Sequence, residues 1–422
     1  MIYSRLPIRR LGSVFLGKMI QPELKSIGDV RAPYLRAAHV QPLGRLIDVD
    51  DKTMWFDPQE LRLHDLRDGD VVIVEGGAGY GRSAVITGDH DGWGFQNSII
   101  RVRPRHNRAD GRFVNYALQS ALALRQIEVA CFISTIPHFT ADKVGAFSIP
   151  APPLPAQSAI AEYLDRETAK IDALISKQRR LIATLRERRA AVVGRAIGPE
   201  TGGLRSLGGL SVGGIASGVD FSADEGQVGW PRYIRTTDVS GMASLHIHTL
   251  RRITVEQAGD SLVRRNDILF TRSGSLGTNY LHESDEVMAF AGYMVRFRTR
   301  TDLCVPRYVA WWSQSRHHQD QIALGASRST IDNFSGSKFR TMKIPLPPLT
   351  EQRRIADHLD EQTAKIDTLI AKAERFIEVS QERRSALITA AVTGQIDVRK
   401  HEGSAGALSS SKTPADWEAQ YA

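Results

Sequence analysis

Six residues, Gly76 to Gly81 (GGAGYG), have the glycine density of a loop that wraps a phosphate with its main-chain N–H groups. The chemistry stops there. No Lys-Ser or Lys-Thr follows, and the run Ser83 to Ile86 reads as a strand rather than a helix. A tight glycine hairpin therefore accounts for GGAGYG better than a nucleotide site, and the same holds for SGSLGT, Ser273 to Thr278. GRSAV, Gly81 to Val85, lacks the second glycine of a nucleophile elbow. His317-His318 stands without a His-Glu-x-x-His frame, and there is no Asn-Pro-Pro-aromatic tetrapeptide. Cys131 and Cys304 are the only cysteines, too few for a disulfide framework or a zinc site of their own; they fit a reducing cytoplasm. No catalytic constellation, resident cofactor or metal is expected.

What remains is basic and polar. Arg82, Arg101, Arg103 and Arg105, with His106 and Arg108, crowd the first third of the chain. Arg272, Ser273, Ser275, Thr278 and Asn279 form a second group, and Arg328 stands beside Ser329 and Thr330. Arginine can read guanine bidentately, asparagine can read adenine, and any cation can neutralise a phosphate. Taken singly, each of these residues is more often a solvated surface group.

The elements that must position them are repeated. Ile149 to Arg189 and Ile344 to Arg384 align without a gap at an offset of 195, and about 23 of the 41 paired residues are identical. Fainter echoes precede each copy. Tyr34-Leu35-Arg36 matches Tyr233-Ile234-Arg235, LRDGDVVIVEGG (Leu66 to Gly77) matches VRRNDILFTRSG (Val263 to Gly274), and SIIRVRP (Ser98 to Pro104) matches MVRFRT (Met294 to Thr299). The chain is thus two tandem halves, each a globular α+β domain, a proline turn and a long helix. Strands are expected at Val71 to Val74, Ile268 to Phe270, Ser98 to Val102 and Met294 to Phe297. Helices are expected at Phe113 to Leu124 and Tyr308 to His317. The boundaries read 1–148 for the first domain and 149–198 for its turn and helix. They read 203–343 and 344–395 for the second set, and 400–422 for a small, polar, disordered tail.

Pro150, Pro152, Pro153 and Pro155, like Pro345, Pro347 and Pro348, demand a stiff extended elbow, with helices from about Ala156 and about Thr350. Leu164, Ile171, Leu174, Leu181 and Leu185, and then Leu359, Ile366, Leu369, Phe376 and Leu387, recur at heptad spacing. Ile175, Ile182, Ile370 and Ile377 widen the stripe. The natural partners are the two copies themselves, as an antiparallel coiled coil about a pseudo-twofold axis. About 38 helical residues make a rod of roughly 55 Å, long enough to hold two modules over separate half-sites of a duplex that repeats about every 34–36 Å. An amphipathic hairpin with no spacing role is the competing reading.

The chain has 422 residues, 42% hydrophobic and 24% charged, which suits a folded multidomain protein. Its formal charge of +8 and pI near 9.5 are compatible with a polyanionic partner. No apolar run is long enough to span a membrane, and the N-terminal segment, broken by Arg5, Arg9 and Arg10, has no apolar signal core.

The tandem layout with IPLPPLTEQRRIADHLDEQTAKIDTLI (Ile344 to Ile370), the Tyr-Ile-Arg-x-x-Asp-Val run from Tyr233 and the Asp-Ile-Leu-Phe-x-Arg-Ser-Gly run from Asp267 resembles the specificity subunit of type I restriction–modification systems, over about residues 5–395. The first module departs from the pattern at His39, where the second has Asp238, and at Glu75, where the second has Arg272. The resemblance implies two target recognition domains reading a split, asymmetric double-stranded DNA sequence, with the helices setting the gap and docking two methyltransferase subunits. Restriction–translocation subunits would join them. S-adenosylmethionine, ATP and Mg2+ would serve those partners and not this chain. The rival reading is a coiled-coil interaction scaffold or inhibitor without DNA readout.

Overall fold

The computed structural model describes residues 3–49, 52–88, 90, 92–131, 137–221, 226–272, 276, 278–325 and 334–398. Two compact units emerge: residues 1–177 with 376–422, and residues 178–375. Four helices organise them: α1 (Gly111–Ala123), α2 (Leu154–Ala196), α3 (Pro306–Trp312) and α4 (Leu349–Val392). Each unit takes one part of α2 and one part of α4.

In the first unit, β1 (Gly12–Leu16), β2 (Val40–Gln41), β3 (Arg45–Leu46), β4 (Val71–Val74), β5 (Ser83–Val85) and β6 (Ile99–Pro104) carry the argument. Four of them form an antiparallel sheet in the order β1-β6-β4-β5, while β2 and β3 make a small hairpin. All four residues of β4 are buried, as a strand covered on both faces requires. Its start is set by a turn: Gly69 has φ +82, and the Asp70 carboxylate accepts the Arg67 N–H at 2.8 Å. The glycine run after β4 is a hairpin, with Ile73 paired to Ser83. Helix α1 packs on this sheet, and Ile160, Ala161 and Leu164 of α2 share its core with Ile388, Ala391 and Val392 of α4.

The second unit is built alike. β7 (Ser211–Ser217), β8 (Val239–Gly241), β9 (Ser244–Leu245), β10 (Asp267–Thr271), β11 (Asn279–Leu281) and β12 (Met294–Thr299) give a sheet ordered β7-β12-β10-β11 beside a β8–β9 hairpin. Asn266, at φ +72, stands where Gly69 does, and Asp267 accepts the Arg264 N–H at 2.9 Å. The core joins Val193 of α2, and Ile197 just after it, to Ile355, Ala356 and Leu359 of α4. In both units the end of one long helix therefore lies with the beginning of the other.

Three local expectations need correction. The long helices begin at Leu154 and Leu349, slightly before the expected starts. Proline in a first turn removes only an N–H that would have no intrahelical partner, so Pro155 is accommodated. The helix expected across Tyr308 to His317 breaks after Trp312, and a second one, Arg316–Gly325, follows. Ser313 donates its hydroxyl to the Ala310 carbonyl at 2.8 Å and Ser315 accepts the His318 N–H at 3.3 Å, so serines close one helix and start the next.

The third concerns the heptad register. The less exposed positions of α2 run Leu164, Thr168, Ile171, Ile175, Gln178, Ile182 and Leu185; those of α4 run Leu359, Thr363, Ile366, Ile370, Ala373, Ile377 and Ser380. Leu174, Leu181, Leu369 and Phe376 sit one residue off this seam and stay about half exposed, whereas Leu387 is partly buried. Each misplaced residue precedes an isoleucine that takes the inward place. Threonine is tolerated inside because Thr168 and Thr363 donate to the carbonyls of Leu164 and Leu359, each at 2.7 Å.

Candidate nucleic-acid interface

The arginines of the two central strands are largely committed to their own modules. Arg101 of β6 is 3% exposed; it donates to the Asp65 carbonyl at 2.5 Å and lies 5.4 Å from the centre of the Phe95 ring. Arg103 holds Asp70 at 2.7 and 2.9 Å and Asp65 at 3.0 Å. Burial lowers the affinity of Arg101 for its proton, and neighbouring Arg103 adds to this. Burial acts the same way on Arg103, but its bonds to Asp70 reverse the sign. Strand β12 repeats the arrangement: Arg296 bonds the carbonyls of Asp260 and Leu262 and lies 5.9 Å from Phe290, while Arg298 clasps Asp267 through two 2.9 Å bonds. Recurrence of the same Arg-x-Arg in both modules was the available signal of a packing role. Asn279 is also built in, donating to the Ala310 carbonyl at 2.7 Å and to the Ser313 hydroxyl, as Ser83 donates to Asn115 at 2.8 Å.

The other basic residues fall into two places. Arg82 closes the turn between β4 and β5. Arg105 follows β6 at its far end, beside the Leu11 carbonyl, roughly 20 Å of strand away. Around Arg82, two turns lean on one helix. A side chain on Gly81 (φ +76) would meet Leu122 and Ile127, and one on Gly44 (φ +74) would meet Gln119 and Asn115. The Phe139 N–H reaches the Glu75 carbonyl at 2.8 Å.

In the second unit the corresponding turns, with Gly241 and Met242 on one side and Leu276 and Thr278 on the other, border a cleft of about 490 Å³ that Arg186 and Arg189 of α2 also line. Arg272 donates to the Ser217 hydroxyl at 3.4 Å, and its carbonyl accepts the Phe334 N–H at 2.8 Å, repeating the Phe139–Glu75 contact. Thr278 is exposed. Ser273, Ser275, Arg328 and the tail from 400 lie outside the described residues. His39 and Asp238 do the same work, each accepting the N–H three residues earlier, at 3.1 and 2.8 Å. Burial pushes the Asp238 carboxyl up, but hydrogen bonds from Arg235 and Thr249 outweigh it and hold the carboxyl below its usual range.

Two sets of contacts, unseen in the sequence, position these turns. The first is a glutamine at each elbow. Gln157 donates to the Pro152 and Arg108 carbonyls at 2.8 and 3.1 Å and accepts the Asp110 N–H at 3.1 Å. Gln352 donates to Pro347 and Leu303 at 2.8 and 3.3 Å and accepts Val305 at 2.8 Å. Beside them Arg112 and Tyr116 bind Asp165, as Arg307 and Trp311 bind Asp360.

The second set exchanges the repeats. In the first unit Arg384, from the second repeat, meets Asp172 at 3.2 Å and Gln119 at 3.1 Å, both from the first. In the second unit Arg189, from the first repeat, meets Asp367 at 3.0 Å and Gln314 at 2.9 Å, both from the second. All three pairs of counterparts, 189 and 384, 172 and 367, 119 and 314, are 195 residues apart.

Among the described residues these turns offer donors, acceptors and positive charge but no nucleophile–base pair, and no group of three His, Cys, Asp or Glu side chains converges on a metal-sized space. Among those residues no helix is long and apolar enough to cross a membrane.

Comparison with known proteins agrees with this architecture. The profile of the family described as Type I restriction modification DNA specificity domain matches residues 60–182 and 217–377. The type I restriction enzyme StySPI specificity subunit of Salmonella potsdam is 31% identical over 91 residues, 22% of this chain and 20% of that protein. The EcoBI specificity subunit of Escherichia coli is 21% identical over 348 residues, 74% of this chain and 73% of its own length. Among solved structures, one described under complex assembly and conformational transition of the type I R-M system covers 94% of this chain and 98% of its own at a TM-score of 0.73 and 16% identity. The HsdS subunit from Thermoanaerobacter tengcongensis covers 93% and 97% at a TM-score of 0.51 and 16% identity. With two matched segments that together take in more than half of its length, the chain belongs to the type I restriction–modification DNA specificity family.

Proposed function

We propose that this chain is the non-catalytic specificity subunit of a cytoplasmic type I restriction–modification complex and reads a bipartite, asymmetric double-stranded DNA target. Residues 1–148 and 203–343 are the two readers; 149–198 and 344–395 are the elbows and spacer helices. The observation that carries this reading is the Arg–Asp–Gln contact found twice with the repeats exchanged. It supports an antiparallel coiled coil about a pseudo-twofold axis, which is what a device presenting two readers at fixed spacing needs. Two methyltransferase subunits dock on the helices, for which the solvent-facing pairs Leu174 with Leu181 and Leu369 with Phe376 supply matching apolar spots. Restriction–translocation subunits complete the assembly, and S-adenosylmethionine, ATP and Mg2+ are used in the partners.

The test is to co-express the chain with its methyltransferase partner and sequence genomic methyladenine. One motif made of two specified halves around a constant gap is expected; a methylated motif with no constant gap overturns the reading. A scaffold without DNA readout is separated by gel shift of the assembled complex, because phosphate contacts impose a steep loss of affinity with salt that a scaffold lacks.

Two further results are expected. Four residues inserted at Pro199-Glu200-Thr201, just after α2, add about 6 Å where they continue the helix and should widen the gap by about one or two base pairs. An unchanged gap contradicts the spacer role. Arg272→Ala should cost about 1–3 kcal/mol on the preferred sequence if the guanidinium reads a base. Equal weakening on every sequence assigns it to a phosphate instead.

A further inference from the structure

The two exchanged contacts are alike in three partners and differ in a fourth. Arg384, 4% exposed, uses its remaining Nη2 to donate to the Leu43 carbonyl at 3.2 Å. Leu43 is the middle residue of the Pro42–Gly44 turn between β2 and β3, and it is held at φ +67, ψ +22, a left-handed conformation that a leucine rarely adopts. Such a conformation persists only where the surroundings enforce it, and strained backbone concentrates at functional sites. Here two enforcing groups are visible: Arg384 pulls the Leu43 carbonyl, and Gln119, itself bound by Arg384, lies so close to Gly44 that a side chain there would come within 2.5 Å of its amide.

The second unit does not share this arrangement. Met242, the counterpart of Leu43, is not among the described residues with positive φ, and its carbonyl accepts the Leu281 N–H at 2.6 Å. Arg189 turns to Trp311, lying 5.4 Å from the ring centre. Where Arg189 and Met242 border a cleft of about 490 Å³, Arg384 and Leu43 border one of about 190 Å³.

We propose that Arg384, on the second repeat's helix, is a positioning residue for base reading by the first module: it locks the strained Pro42–Gly44 turn beside the Arg82 turn, so that fidelity for the first half of the target depends on the long helix of the other repeat. The proposal rests on the DNA-reading function. Both turns lean on α1, and the latch connects that shared support to α4. Arg189 also reaches the second module, through Gln314 and Trp311, but among the described residues it makes no bond to the turn at Gly241 and Met242, so the latch on a turn is one-sided.

The experiment uses the full chain co-expressed with its methyltransferase partner, with genome-wide methyladenine sequencing of wild type, Arg384→Gln, Gln119→Ala and Arg189→Gln. Wild type should give one two-part motif. In Arg384→Gln, discrimination at one or more bases of one half should fall at least tenfold, while the other half and the gap are retained. Gln119→Ala, which leaves the Arg384–Asp172 ion pair in place, should blur the same half. Arg189→Gln, in the other unit, should leave sharp the half that Arg384→Gln blurs. An Arg384→Gln motif identical to wild type overturns the proposal, and so does equal blurring of both halves, the mark of a merely loosened helix pair. Should Arg384→Gln fail to fold, an unaltered motif in Gln119→Ala overturns it alone. A wild-type chain that yields no two-part motif defeats the DNA-reading function itself, a separate failure.

Discussion

Gln352→Ala is expected to destabilise the second unit by about 3 kcal/mol. The side chain is fully buried and satisfies three main-chain groups: the carbonyls of Pro347 and Leu303 and the N–H of Val305. Truncation leaves all three inside the elbow without this partner, and each orphaned buried group costs about 1–3 kcal/mol, less where water can enter the space. Gln157→Ala should cost about as much in the first unit, since Gln157 is 1% exposed and makes the same three bonds. Because the glutamines lie in different units and share no partner, the double variant should show the sum. Gln352→Glu should be worse than Gln352→Ala, since it keeps the acceptor but buries a charge where two carbonyls need a donor. Denaturant unfolding followed by tryptophan fluorescence measures this, and a loss below about 1 kcal/mol for either alanine variant refutes the elbow argument.

That glutamine shows what a sequence yields and what it withholds. Its recurrence at 157 and 352 was plain, as were the prolines before it, so a stiff repeated elbow could be expected. Two of its three partners come from a turn 47 and 49 residues upstream, and no periodicity points there. The strands were legible because Val71 to Val74 and Ile268 to Phe270 are apolar runs behind turn residues with left-handed backbone. The inward face of the helices was only half legible. Leu174-Ile175, Leu181-Ile182, Leu369-Ile370 and Phe376-Ile377 are adjacent apolar pairs, and either member preserves a heptad repeat; packing chooses the isoleucine.

The basic residues were the least legible. Arginine has the same letter whether it faces phosphate or, like Arg101, lies 3% exposed over a phenylalanine ring. The exchange of the repeats was legible only in outline, as an antiparallel pairing of the two copies, without the residues that make it. Arg189 and Arg384 are identical, as are Asp172 and Asp367, and Gln119 and Gln314. Asp172 and Arg189 lie about 25 Å apart on one helix and cannot meet, so the ion pair must cross between copies; which turn each arginine then holds is decided only by the chain path. The asymmetry that follows, with Leu43 strained and Met242 not, was beyond reach for the same reason.

Acid should weaken the second unit chiefly through His318, with a smaller push the same way from His317, which burial also depresses. The His318 ring is wholly buried, 4.7 Å from Trp312 in an edge-on contact and 6.0 Å from Phe270. Burial pushes the imidazole down to about 3, helped by the neighbouring charge of His317 and opposed by a backbone bond at Ser313. In the unfolded chain the same group titrates near 6.5. Between these values the unfolded state holds a proton that the folded state refuses, so stability is complete above pH 6.5 and falls by about 1.4 kcal/mol for each pH unit below it, down to pH 3. At pH 5 the loss from this residue alone is about 2 kcal/mol. The depressed Asp238 has its own window, since a carboxyl held low stabilises fully above its ordinary value of 3.8 and loses that support only below it. The two contributions therefore separate at pH 5. His318→Leu removes the titrating group while keeping an apolar filling against Trp312 and Phe270. Denaturant unfolding at pH 7.5 and pH 5 should show the difference between the two conditions shrink by about 2 kcal/mol in the variant relative to wild type. An equal difference in both proteins would mean that His318 accepts its proton inside the fold, and that the aromatic cage around it admits charge.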